Sequence, residues 1–166
     1  MTNAGAARID LAGSVSQIAT GVAVLDHLLE ELGTAGRFGL SLEIAPDAPE
    51  AEVGRAGEAL GEALAPLLHE EGAGRGFGIA PADEALAMVV VEASGRPLVA
   101  SNADLTSTRA GGLQTDLAAT FLDELANTAG LTIHVRLIEG ENSQHVMSAI
   151  FKALGIALAR ATRGDM

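Results

Sequence analysis

Cysteine is absent from the chain, which excludes disulfides, thiolate metal sites and thiol nucleophiles. Tryptophan and tyrosine are absent as well, and four phenylalanines are the only aromatics. Platforms that stack bases or sugars are therefore not expected, and alanine and small aliphatic side chains must fill the core. Positive charge is scarce: 10 Lys and Arg stand against 22 Asp and Glu, a formal net charge of −12. Such a surface repels nucleic-acid backbones and anionic membranes, so neither is expected as a partner. Nowhere do about 18 apolar residues follow one another, and Met1 to Arg8 carries no apolar run behind a basic patch. A membrane span and an export signal are not expected, and the cytoplasm is the expected compartment.

What is present is 166 residues, 48% of them hydrophobic, enough for one core or two small ones that share a face, with no linker between them. Alternation predicts short strands over Ala7–Ala12 and Ser14–Ala19. A helical stripe of Val24, Leu25, Leu28, Leu29 and Leu32 follows, stopped by Gly33 and Gly36. Phe38, Leu40, Leu42 and Ile44 alternate as a strand, and Ala51–Glu71 reads as a long helix with Val53, Ala56, Leu60, Leu64 and Leu67 inward. The second half repeats the order: strands over Glu84–Ala93 and Arg96–Asp104, a helix over Thr115–Asn127, a strand over Leu131–Ile138, and a helix from Asn142 to about Ala161.

The repetition is visible in letters too. Thr34-Ala35-Gly36 returns as Thr128-Ala129-Gly130, and Ala59-Leu60-Gly61 returns as Ala153-Leu154-Gly155, both pairs 94 residues apart. The expected fold is an α/β sandwich of the α+β kind, a duplicated β-β-α-β-α unit with two sheets and helices packed between them. It forms one domain over residues 1–166, with internal repeats over about 7–72 and 76–162.

Along nearly the whole chain the residues resemble the imidazoleglycerol-phosphate dehydratase family of histidine biosynthesis. The matching segments run in order: Thr20-Gly21-Val22 into Leu25-Asp26-His27-Leu28-Leu29, Gly36-Arg37-Phe38, Asp83-Glu84-Ala85-Leu86, and Ser94-Gly95-Arg96-Pro97. Gly111-Gly112 with Thr115-Asp116-Leu117 comes next, then Leu131-Thr132-Ile133-His134-Val135-Arg136, then Gly140-Glu141-Asn142 with His145, running into Ile150-Phe151-Lys152-Ala153-Leu154. The resemblance implies the duplicated unit already inferred, a carbon–oxygen lyase activity, two manganese ions per subunit, and trimers that assemble into a larger shell. The reaction removes a hydroxyl and a C–H proton of very low acidity, which is why the family holds the imidazole ring between metals.

Metal ligands of the family lie in the Leu-Asp-His segment, in the histidine of the Leu-Thr-x-His strand, and in two His-His-x-x-Glu motifs. Here those motifs fall on Glu50, Ala51 and Gly54, and on Gln144, His145 and Ser148. Alanine and glycine cannot coordinate through a side chain, and serine and glutamine are poor donors for such ions. His27, His134 and His145 survive as residual metal positions, either forming a reduced site for manganese or another divalent ion or merely satisfying local hydrogen bonds, His27 beside Glu30 and Glu31 and His145 beside Glu141. Arg96 and Lys152 match positions that contact substrate phosphate, or else serve as surface ion-pair partners. Asp83 and Glu84 are the candidate catalytic carboxylates. His69 is expected to face solvent at a helix end. The stripe of Glu141, His145, Ser148 and Lys152 on the last helix is expected at a subunit boundary.

With so many ligands replaced, the expectation is a non-catalytic or repurposed homologue that binds a small molecule or a partner protein, carries no metal, and forms a homo-oligomer. The alternatives are an altered lyase for another small, phosphorylated substrate and a true dehydratase.

Overall fold

Sheet edges and helix ends follow the local chemistry closely. In the computed structural model, which describes residues 5–13, 16–103, 105, 109–110 and 113–164, the first unit contains β1 (Gly5–Asp10), β2 (Gln17–Ala19), α1 (Ala23–Gly36), β3 (Gly39–Ile44) and α2 (Pro49–Leu68). The second contains β4 (Arg75–Ala82), β5 (Ala85–Glu92), β6 (Leu98–Ser101), a short pair β7 (Arg109–Ala110) and β8 (Leu113–Gln114), α3 (Thr115–Ala129), β9 (Thr132–Glu139) and α4 (Ser143–Arg163). Ser14, Asp104, Gly111 and Gly112, which the sequence reading used, lie outside the described residues.

Duplication is written in the strand pairing. The sheets run β1-β3-β2 and β4-β5-β9-β6. In each, the first strand of the repeat pairs antiparallel and the second pairs parallel with the third: β1 and β2 on β3, β5 and β6 on β9. Helices α1 and α2 cover the first sheet, α3 and α4 the second, and the helical layers meet with α2 on α3 and α1 on α4. Phe121 and Phe151 stand at that meeting, their ring centroids 5.6 Å apart, and both are fully buried. Leucines, valines and alanines fill the rest of the core, as a chain poor in aromatics requires.

Two local expectations are corrected. Strand β4 is an additional strand that periodicity did not reveal, because Gly76 and Gly78 interrupt the apolar alternation of its inward face. A Cβ at either would run into the carbonyl oxygens of Ala157 or Ala153, so the glycines let α4 lie directly on the strand. Gly33 does not stop α1. It is buried within the helix, and the chain turns only at Arg37, whose left-handed backbone (φ 58°) donates its N–H to Thr34 while Phe38 bonds back to Gly33. His69 is exposed, yet its Nε2 lies 2.9 Å from the Ala129 carbonyl and ties the end of α2 to the end of α3.

The outer faces of the two sheets differ. On the first sheet Arg8, Asp10, Gln17, Ser41 and Glu43 point outward. On the second, Phe77, Ile79, Leu86, Met88, Val90 and Leu98 share the outer face with His134 and Arg136. Ile79, Leu98 and Ile138 remain 48%, 53% and 50% exposed.

Candidate functional site

The segment leading into α1 is built to present His27. Thr20 is fully buried, and both its N–H and its hydroxyl donate to Asp26 Oδ1, at 2.8 and 2.5 Å. Asp26 thus anchors the first turn of α1, where a carboxylate also favours the positive end of the helix dipole. Gly21 (φ 90°) passes over the buried carboxylate of Glu52, leaving no room for a Cβ. One residue beyond Asp26, His27 projects outward, 70% exposed, into a groove between α1 and α4.

Two cavities that share His27 make up this groove. One, of about 270 Å³, is lined by Val24, Leu28, Gln144, His145, Met147 and Ser148, and the other, of about 470 Å³, by Glu30, Glu31, Thr34, Ala35 and Lys152. Glu31 is the polar centre. Its carboxylate, 18% exposed, accepts a short hydrogen bond from the Ser148 hydroxyl, lies 3.4 Å from His27 Nε2, and lies 3.7 Å from Lys152 Nζ. The ammonium also donates to the Pro81 carbonyl at 3.3 Å. Nothing in the spacing of residues 31 and 148 could have revealed this contact, since they are 117 positions apart.

At the mouth of the groove the imidazole of His145 is clamped between two carboxylates. Its Nδ1 lies 2.6 Å from Glu84 Oε2 and its Nε2 lies 3.2 Å from Asp83 Oδ2. The expected partner, Glu141, is replaced by the tip of the β4–β5 hairpin, where Asp83 holds a left-handed backbone (φ 52°). The hydrogen bond from His145, and then the N–H of Glu84 itself, hold the Glu84 carboxyl below its ordinary pKa. Asn142 caps α4 by accepting from the N–H groups of Gln144 and His145, which fixes the start of the helix that carries His145.

The remaining candidates stand elsewhere. His134 pairs with Val90 and Ala100 in mid-sheet and points outward, away from the helices that carry His27 and His145. Arg96 lies in the turn beside Thr132, at the end of β9 opposite the His145 clamp. That end borders a polar cavity of about 620 Å³ whose walls include His69, Arg75, Glu92 and Ser94. Within one protomer, then, the structure brings together His27, His145, Asp83, Glu84 and Lys152, and leaves His134 and Arg96 apart.

A pair of divalent ions needs several carboxylate and imidazole donors around each. Among the described residues no three His, Asp or Glu side chains converge in that way. Both nitrogens of His145 already face carboxylates, and Gly54 and Ser148 stand where further donors are needed. The donors of one protomer do not fit two ions.

Known proteins align with this chain over most of its length. The family model described as "Imidazoleglycerol-phosphate dehydratase" matches residues 20–158. The chain is 39% identical over 157 residues to the imidazoleglycerol-phosphate dehydratase of Prochlorococcus marinus, covering 90% of this chain and 74% of that protein. It is 39% identical to that of Aromatoleum aromaticum, covering 96% and 85%. Among solved structures, the dehydratase of Staphylococcus aureus superposes with a TM-score of 0.81 at 34% identity, covering 92% of this chain and 90% of the other. The Pyrococcus furiosus enzyme gives 0.84 at 31%, covering 95% and 88%. These matches correct the expectation of a non-catalytic or repurposed homologue, since relatives alike over nine-tenths of the chain carry the name of the dehydratase itself. Nor do they support the expectation that the chain carries no metal, because the family they represent works with manganese.

Proposed function

Because the chain belongs to the imidazoleglycerol-phosphate dehydratase family, we propose that it catalyses the dehydration of imidazoleglycerol phosphate in histidine biosynthesis, through a site whose donors have been rearranged. The reading is supported by the groove in which imidazole, carboxylate and ammonium groups meet, in a chain more than a third identical to named dehydratases. Loss of the hydroxyl and of a carbon-bound proton yields an enol that rearranges to a ketone, so the site must move protons and hold a phosphate.

In this reading the Asp83–His145–Glu84 clamp does the proton work. Two carboxylates fix the ring orientation, and a positioned general acid or base contributes about 10²- to 10⁴-fold. Lys152, steadied by Glu31 and the Pro81 carbonyl, supplies the fixed charge for the phosphate, and Arg96 adds to it from a neighbouring copy, because its own protomer holds it at the far end of the sheet. His134 likewise reaches a groove only from a neighbour. We propose a trimer, with the apolar outer face of the β4-β5-β9-β6 sheet at its interface, and a cytoplasmic enzyme. No described helix is long and apolar enough to cross a membrane.

Incubation of the purified chain with imidazoleglycerol phosphate and excess manganese tests the reading. Appearance of the keto product is expected. Absence of product under conditions where a relative turns over would remove the proposal.

A further inference from the structure

We infer that Glu52, a buried residue outside the groove, is a positioning residue for it: its side chain props the loop that sets where α1 begins, and so where His27 stands. Only 6% of Glu52 is exposed, so contacts within the fold must compensate a carboxylate that water hardly reaches. Its Oε2 accepts from the Asp47 N–H at 3.2 Å, at the entrance to α2. On its other side the carboxylate lies directly beneath Gly21, at the entrance to α1. One side chain in the first turn of α2 therefore spans the entrance loops of both helices of the first unit.

Both helix starts need such support. Neither N-cap residue, Val22 for α1 or Ala48 for α2, makes a side-chain cap hydrogen bond, so neither end is held in the usual way. In α1 the loop takes over that task. The Val22 N–H donates to the Thr20 hydroxyl at 3.1 Å, Thr20 donates through its N–H and hydroxyl to Asp26 Oδ1, and the Asp26 N–H donates to the Val22 carbonyl at 2.9 Å. This ring of bonds spans Gly21 and ends one residue short of His27. Gly21 holds a left-handed backbone (φ 90°), and the Glu52 carboxylate occupies the space where its Cβ would stand. With the prop shortened, the loop sinks and the first turn of α1 turns with it. His27 lines both cavities of the groove, so a displacement of about 1 Å there is felt at the substrate.

The effect on turnover rests on the dehydratase reading, but the effect on the ring does not. The imidazole signals of the labelled full chain are followed by NMR, with four histidines to assign and H27Q to identify the first. E52A removes the prop and G21A pushes against it, so each should shift or broaden the His27 signals and leave those of His69 and His134 in place. E52Q, of equal size and with an oxygen to accept the Asp47 N–H, should match the wild type. E52D, one methylene shorter, should shift the same signals by less, and it decides the matter if the alanine variants do not fold. In E52A kcat should fall about 10- to 100-fold, with KM changed less, and E52Q should restore it. His27 signals that stay in place in E52D and in every folded alanine variant overturn the inference. So does an E52Q chain that displaces the ring as E52A does, or a displaced ring with undiminished kcat. A ring displaced by E52A or E52D, in a protein whose wild type makes no product, would instead remove the dehydratase reading and leave the prop standing.

Discussion

At the scale of single residues, the clamp on His145 makes the sharpest demands. H145Q removes the hydrogen bond that holds the Glu84 carboxyl below its ordinary range, so carbon-detected NMR should show Glu84 titrating closer to an ordinary glutamate. If the clamp moves protons, the same substitution lowers kcat by about 10²-fold or more with little change in folding. Asp47 offers a second titration. The Ala48 N–H, and then the Arg55 guanidinium 2.6 Å away, hold its carboxyl below the ordinary value. Its folded pKa lies under its unfolded one, so the stabilisation is present above the unfolded value and disappears as pH falls through the folded one. Urea midpoints measured from pH 5 downward should therefore decline less steeply in D47N than in the wild type.

Elements in this fold are spaced by missing side chains. A Cβ on Gly155 would enter the carbonyl of Leu32 on α1, so G155A should lose about 1–3 kcal/mol through forced separation of α1 and α4, less the ~1 kcal/mol that alanine gains in a helix. Gly54, by contrast, has only ordinary van der Waals neighbours, the nearest at 3.8 Å, and G54A should stabilise by about 0.5–1 kcal/mol. Thermal unfolding of the pair distinguishes the two cases. The same close approaches explain what the sequence made legible. Helices α1 through α4 and strand β3 carried apolar side chains at regular intervals and could be read directly. Strand β4 could not, because two of its inward positions, Gly76 and Gly78, are glycines that make room for the backbone of α4 at Ala157 and Ala153, far along the chain. The site divided in the same manner: His27, His145, Asp83, Glu84 and Lys152 were recognisable from local motifs, whereas the bonds that organise them, Glu31 to Ser148 and Glu84 to His145, join residues distant in the chain and leave no periodic trace.

For the whole molecule, the contrast between the two outer sheet faces is the deciding property. Ile79, Leu98 and Ile138 contribute little to a folded protomer, being about half exposed, so I79K should leave unfolding nearly unchanged. If the proposed trimer uses this face, the substitution shifts sedimentation toward the monomer, and turnover falls with it because His134 and Arg96 no longer reach a neighbour's groove. Unchanged sedimentation would place the contact elsewhere. Among the described residues the oily side belongs to the second sheet and the water-loving side to the first, so three copies that met through the second sheet would hide Ile79 and Leu98 in the seam and turn Arg8, Asp10 and Glu43 toward water.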